Sequence, residues 1–273
     1  MRDRFREAGI DNAELDARLL AQFALGLDSL GLLAVERQQA SPEQIAALDA
    51  LAARRLAGEP VARIAGEKEF YGLPFALNEA TLVPRPETEL LVDLALAWLK
   101  RHGGGRILDL GTGTGVIPIA ITHSAPGATA IATDLSERAL AQARANAQRH
   151  GLGARIAFRQ GSWFDPIEPG EQFALILSNP PYIESAVIAT LHKDVRDFDP
   201  LLALDGGPDG LAPYRVIAEK SGAHLAPGGA VMVEIGAGQG SDVAAIFGAA
   251  GFAASVIEKD LAGLDRVVIA HHL

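Results

Sequence analysis

Residues 178 to 182 read SNPPY and follow the apolar run FALIL. An amide, two prolines and a phenol ring thus stand at consecutive positions where a buried strand ends. Each proline fixes φ and removes a backbone donor, and the residue before a proline is pushed towards extended conformations. The segment is stiff and leaves backbone carbonyls free, so Asn179, Pro180, Pro181 and Tyr182 could together hold a planar polar group. A stiff turn needs no chemical purpose, so the reading depends on what lies beside it.

Upstream, LDLGTGTGV ends another apolar run and opens a helical one. Gly111, Gly113 and Gly115 permit a tight turn and close approach of a ligand, with Thr112 and Thr114 between them, and the helix start offers N–H groups. The spacing is G-x-G-x-G, not the G-x-G-x-x-G of dinucleotide folds. Asp109 precedes the first glycine by two residues; a carboxylate there repels a pyrophosphate and suits a cationic amino-acid ligand. Asp134 follows Gly111 by 23 residues, about where an acidic residue grips ribose hydroxyls; its plain alternative is a cap for the next helix. Trp163, in GSWFD, either flanks an adenine or covers the sheet edge. Sulfonium, ammonium and ribose make S-adenosyl-L-methionine a better fit to this set than NAD.

The elements that must position these residues alternate. RILDL, ATAIAT, ARIAFRQ, FALILS, GAVMVEIG, AASVIEKD and DRVVIAHHL read as strands, with helical segments between most of them. This predicts a doubly wound α/β fold with a mostly parallel seven-stranded sheet. The last two strands lack an intervening helix, so one of them is expected to be antiparallel. Ahead of the sheet, two helical patterns stand out. DNAELDARLLAQFALGL starts with Asp11 as cap and Glu14 at the box position, with Leu15, Leu19 and Phe23 as its apolar face. SPEQIAALDALAARRLAG has Ser41 as cap, Pro42 in the first turn, Gln44 at the box position and Gly58 as stop. The expected organisation is a small all-α domain for docking a substrate (1–58), a linker with a β-hairpin around YGLP (59–85) and a catalytic domain (86–273).

Composition narrows the class. The chain has 273 residues, 49% of them hydrophobic, and no cysteine, which excludes disulfides, thiolate metal sites and a cysteine nucleophile. The seven histidines, including the terminal HH, are scattered without metal-ligand spacing. A net charge of -10, with no excess of lysine and arginine in either the first eighty residues or the remainder, argues against direct nucleic acid binding through phosphate neutralisation. No run approaches the ~18–20 apolar residues that span a bilayer, and the charged start lacks a secretory pattern. A cytoplasmic location is the expectation.

The exit motif resembles that of amino-methyltransferases acting on a planar nitrogen. Together, VPRPETE (83–89), DLGTGTG (109–115), SNPPYI (178–183), LDGGPDGLAPYR (204–215) and EIGAGQG (234–240) resemble the glutamine N5-methyltransferases of peptide chain release factors, over nearly the whole chain. The resemblance implies a class I methyltransferase domain that converts S-adenosyl-L-methionine to S-adenosyl-L-homocysteine. It implies a release factor as partner, with the glutamine of its Gly-Gly-Gln loop as acceptor. It places the cofactor on Gly111, Thr112, Gly113, Thr114, Gly115, Asp134, Trp163 and Asn179. It places the glutamine on Asn179, Pro180, Pro181 and Tyr182, with Asn179, Pro180 and Tyr182 as the catalytic set. Arg85, Glu87 and Glu234 stand within these motifs without an assigned role. The enzymatic rival is methylation of adenine N6 or guanine N2 in nucleic acid, which needs a polymer-binding domain; the small, acidic, helical domain suits a protein better. A catalytically silent binding module is opposed by the intact motifs, and a dehydrogenase is more distant.

Overall fold

The strands form where β-branched and aliphatic residues run between glycines and helix caps, and their side chains alternate between two cores, apart from an irregularity between Phe173 and Leu175. In β3 (Arg106–Leu110), Ile107 faces one layer and Leu108 and Leu110 the other; in β6 (Phe173–Ser178), Leu175 and Leu177 oppose Ile176. The protein is described by a computed structural model covering residues 1–271. The expected strand DRVVIAHHL is therefore seen as Asp265–His271, and His272 and Leu273 lie outside the described residues.

Five helices come first: α1 (Arg2–Glu7), α2 (Ala13–Leu25), α3 (Ser29–Ala34), α4 (Pro42–Leu56) and α5 (Val61–Ala65). The hairpin β1 (Glu67–Phe70) and β2 (Leu73–Ala76) follows, and then α6 (Glu89–His102). After β3 come α7 (Val116–Ser124), β4 (Thr129–Asp134), α8 (Glu137–Arg149), β5 (Ile156–Gln160) and β6. The chain ends with α9 (Lys193–Arg196), α10 (Ala212–Ser221), β7 (Leu225–Glu234), α11 (Gly240–Ala249), β8 (Ala254–Lys259) and β9 (Asp265–His271). The sheet has seven strands in the order β5-β4-β3-β6-β7-β9-β8. The pairs β4–β5, β3–β4, β3–β6 and β6–β7 are parallel, and β9 runs antiparallel to both β7 and β8, as the missing crossover required. Between β5 and β6 the chain crosses to the far side of β3. The carboxyl ends of β3 and β6 thus flank the switch point where open α/β sheets bind ligands.

One core layer joins Leu91, Ala95 and Leu99 of α6 to Ile119 and Ala120 of α7. The opposite layer joins Tyr214 and Ile217 of α10 to Phe247 of α11. Phe70 and Phe75 of the hairpin are buried in the first layer, so the segment expected as a linker is packed onto the large domain. Its turn holds Tyr71 and Gly72 at positive φ, and Glu89 and Asp93 of α6 accept from the Tyr71 backbone N–H (2.8 Å) and hydroxyl (2.7 Å).

The small helical core consists of Phe5, Ala13, Leu20, Ala52 and Ile64. The capping box of Ser41 and Gln44 is formed, with Pro42 in the first turn. The start of α2 differs from the expectation: Asn12 stands at the cap, and neither Asp11 nor Glu14 closes a box. The face differs too, since Leu15, Leu19 and Phe23 remain 43%, 39% and 49% exposed while Ala13 and Leu20 turn inward. Neighbouring helices are met on the alanine side because the bundle is too small to cover both stripes. Among the described residues no helix is long and apolar enough to cross a membrane.

Candidate active site

A cavity of about 700 Å³ opens over the switch point. Its walls include the glycine loop from Gly111 to Thr114, Asp134, Trp163, Asn179, Pro181, Arg85 and Thr88. Residues far apart in sequence are thus brought to one place by the carboxyl ends of β3, β4, β5 and β6.

The glycine loop is pinned largely to the end of β4. The N–H groups of Gly111 and Thr112 both donate to the Thr133 carbonyl (2.9 Å each), that of Gly113 to Asp134 Oδ2 (2.9 Å) and that of Gly115 to the Thr112 carbonyl (2.8 Å). These four donors are spent on the shape of the turn, which removes the anion cradle that a helix start would otherwise offer. Asn146 of α8 supports the same turn by donating to the Thr114 carbonyl (2.9 Å) while pairing with both backbone groups of Ala76 in β2.

Two acidic groups stand at this end of the sheet. Asp134 Oδ1 accepts from the Ser136 N–H (2.8 Å), and burial raises its pKa against those two amide bonds. Ser136, not Asp134, caps α8, so the plain reading of Asp134 as a cap fails and the carboxylate is left at the cavity wall. Asp109 is wholly buried, and neither of its oxygens has a hydrogen-bond partner. Burial pushes its pKa up to about 7; the Thr112 hydroxyl beside it holds it down and the charge of Asp134 adds to the rise. Thr112 Oγ1 is likewise buried and unpartnered. The buried carboxylate of Asp109 near the end of β3, the Thr112 hydroxyl in the turn and the Asp134 carboxylate at the wall form an acceptor-rich set that fits a cationic, hydroxyl-bearing group.

Trp163 sits with φ +49, a left-handed conformation that is costly for a bulky side chain. The Thr133 hydroxyl donates to its carbonyl (3.1 Å), and its ring passes over Gly111, where an added Cβ would lie 3.9 Å from Cζ3. The strain thus places the indole on the cavity wall.

Along the exit from β6, Asn179 and Pro181 line the cavity, whereas Pro180 is buried and neither it nor Tyr182 contributes to the wall. An extended segment turns alternate side chains to opposite sides, which accounts for the division. The Tyr182 ring packs beside Gly236, and burial pushes its hydroxyl up to about 12, so it stays neutral. The segment after it folds back: the Ile183 N–H donates to Leu204 O (3.0 Å) and the Gly206 N–H to Ile183 O (2.8 Å). A Cβ on Gly206 would lie 2.8 Å from Tyr182 Cα, so the glycine in LDGGPDG is demanded by this crossing. Gln239 of the EIGAGQG motif donates to the Tyr182 carbonyl (3.2 Å).

Thr88 and Asp199 were not foreseen, and Glu234 was marked without a role. Thr88 lines the cavity, accepts from Asn179 Nδ2 (3.0 Å) and donates to Glu234 Oε2 (2.6 Å). Glu234 is buried at the end of β7, and burial pushes its pKa up to about 7 against the Thr88 bond and the Arg266 charge. Asp199 is buried between Arg63 (2.8 Å) and Arg85 (2.6 Å). A buried acidic residue after an apolar strand was the available signal for Glu234. Thr88 and Asp199 carry no such mark, because their partners are 91 and 146 residues away for Thr88 and 114 and 136 for Asp199.

Similarity to known proteins fits this geometry. Residues 1–66 match the family described as PrmC N-terminal domain, and residues 88–197 the Methyltransferase small domain. The release factor glutamine methyltransferase of Bradyrhizobium diazoefficiens is 46% identical over 274 residues, covering 99% of this chain and 92% of that protein. The chain belongs to the release factor glutamine methyltransferase family. Among solved structures, a methyltransferase from Pyrococcus furiosus superposes with a TM-score of 0.54 at 18% identity, covering 81% of this chain and 96% of that one. The 16S rRNA N2 G1207 methyltransferase of Thermus thermophilus, solved with AdoMet and guanosine, gives 0.54 at 15% identity, over 76% and 50% of the two chains. Family membership makes the seven-stranded domain that of a class I methyltransferase, and the chain an enzyme.

Proposed function

We propose that this enzyme transfers the methyl group of S-adenosyl-L-methionine to the side-chain nitrogen N5 of the glutamine in the Gly-Gly-Gln loop of peptide chain release factors. The observation that carries the reading is the near-full-length similarity to a release factor glutamine methyltransferase, in a chain whose Asn179 stands at the wall of the switch-point cavity. When bound, the cofactor supplies an electrophilic methyl on a sulfonium. Gly111, Thr112, Gly113, Thr114, Asp134, Trp163 and Asn179, which line the cavity, are the residues that would hold it, with Gly115 closing the turn and Asp109 buried behind it, and this acceptor-rich chemistry favours its ammonium and ribose.

The protein's own task is the acceptor. A glutamine amide nitrogen is a poor nucleophile because its lone pair is delocalised into the carbonyl. Asn179 Oδ1 and the Pro180 carbonyl accept its two N–H bonds, which turns the lone pair out of that plane and towards the incoming carbon; orientation replaces basicity. Proline at 181 keeps the Pro180 carbonyl free of a neighbouring donor. Tyr182, outside the cavity wall, backs this clamp with a ring that stays uncharged. As the N–C bond forms the nitrogen carries an excess proton, acidic enough to leave to water, so no strong base is required.

The direct test is mass spectrometry of a release factor before and after incubation with enzyme and S-adenosyl-L-methionine. One added methyl on the Gly-Gly-Gln glutamine is expected. Label from the cofactor appearing in nucleic acid alone would overturn the reading. Asn179→Ala should lose at least about a hundredfold in turnover, the scale of one transition-state hydrogen bond, while cofactor affinity falls far less.

A further inference from the structure

We infer that Glu234, acting through the Thr88 hydroxyl, is the positioning residue that fixes which way the Asn179 amide faces. This rests on the reading of Asn179 as the acceptor clamp. An asparagine amide has nearly the same shape in its two flipped orientations, but only one presents Oδ1 to a substrate N–H. Nothing within Asn179 chooses between them; the neighbours must.

Thr88 supplies the choice. Its oxygen lies 2.6 Å from Glu234 Oε2 and 3.0 Å from Asn179 Nδ2. An ionised carboxylate only accepts, so it claims the single Thr88 hydroxyl hydrogen. What remains on the Thr88 oxygen is lone pairs, which can bond the NH₂ side of Asn179 and not its carbonyl. The flipped amide would set two acceptors against each other in a buried site, a configuration that is costly to leave unsatisfied. Asn179 Oδ1 is thereby left facing the acceptor. Thr88 and Asn179 both line the cavity, while Glu234 is buried at the end of β7, bonded to the Thr88 hydroxyl and close enough to the Asn179 amide to favour its NH₂ side as well.

The relay depends on the charge of Glu234. Around it stand Arg266 of β9, Glu87 of the turn before α6, the Tyr182 phenol and the Asn179 amide itself; the Tyr214 hydroxyl of α10 donates to its backbone carbonyl (2.9 Å). Burial outweighs Arg266 and brings the pKa up to about 7. Below that pH the carboxyl gains a hydrogen it can donate to Thr88, the Thr88 hydrogen is released, and either Asn179 orientation can be satisfied. Turnover should then fall as pH drops through about 7.

The test compares wild type with T88V, T88S and E234Q on intact release factor and S-adenosyl-L-methionine. T88V, close in shape but without the hydroxyl, is expected to lower kcat about tenfold, the scale of one neutral hydrogen bond. Its KM for release factor should change less than about twofold. T88S should recover most of the loss. E234Q, which can both donate and accept, should lower kcat and flatten the dependence near pH 7. A second readout needs no activity: the Asn179 side-chain NH₂ resonances, assigned by their absence in N179A, should shift in T88V and follow pH with a midpoint near 7 in wild type only. Unchanged Asn179 resonances in T88V, or wild-type kcat and pH profile in E234Q, would overturn the relay. Wild type that leaves release factor unmethylated would instead count against the functional reading, and the resonances would still decide the relay.

Discussion

Asp134 links two jobs that are usually separate. One oxygen holds the Gly113 N–H and the other the Ser136 N–H, so the same carboxylate shapes the glycine turn and faces the cavity. Replacing it with alanine should weaken cofactor binding and also loosen the turn, seen as a loss of both affinity in calorimetry and thermal stability. Gly113 isolates the second effect. It has φ +54, and an added Cβ would meet nothing within 4 Å. Gly113→Ala should therefore cost roughly 1–2 kcal/mol from backbone conformation alone, measured by urea denaturation without cofactor. A much larger loss would mean that the added methyl collides with a neighbour in the folded chain.

At the scale of elements, the segment between β6 and α10 is fixed at both ends. Near the sheet it crosses its own exit at Gly206, and farther out Asp199 ties it to the hairpin region. Arg63, at the end of the helical domain, also donates to the carbonyls of Asn78 and Thr81, and the Val83 N–H reaches Asp199 Oδ1 (3.3 Å). Leu201 and Leu202, just past Asp199, line the cavity, so this tie sets one of its walls. Asp199→Ala would leave the buried Arg63 guanidinium without its counter-charge, at a cost of about 3–5 kcal/mol. Chemical denaturation should register that loss, and the KM for release factor should rise because the wall moves. The helical domain is joined to α9 as well, through Arg55, which pairs with Asp16 (2.7 Å) and Asp194 (3.3 Å).

For the whole molecule, two buried carboxyls set an unusual pH response. Asp109 and Glu234 are raised from ordinary values of 3.8 and 4.5 to about 7 by burial. Between those limits the folded chain holds protons that the unfolded chain has lost, so stability is greatest below and declines as pH rises towards 7. Each group contributes at most about 1.4 kcal/mol per pH unit. Denaturation of the cofactor-free protein from pH 5 to 8 should show the decline, and D109N should flatten part of it. The sequence by itself determined the alternation of strands and helices, the antiparallel finish and the capping box at Ser41, because these depend on neighbours a few residues apart. It also marked Gly111–Gly115, Asp134, Trp163 and Asn179, since strand ends of a parallel sheet converge on one edge whatever the details. It misjudged the buried face of α2, where the choice between an alanine side and a leucine side is made by the partners α1, α4 and α5. Thr88, Asp199 and the partition of NPPY into residues that face the cavity and residues that do not were decided only by the tertiary structure. Each depends on contacts between segments more than a hundred residues apart or on the twist of a short exit strand, and local sequence carries no term for either.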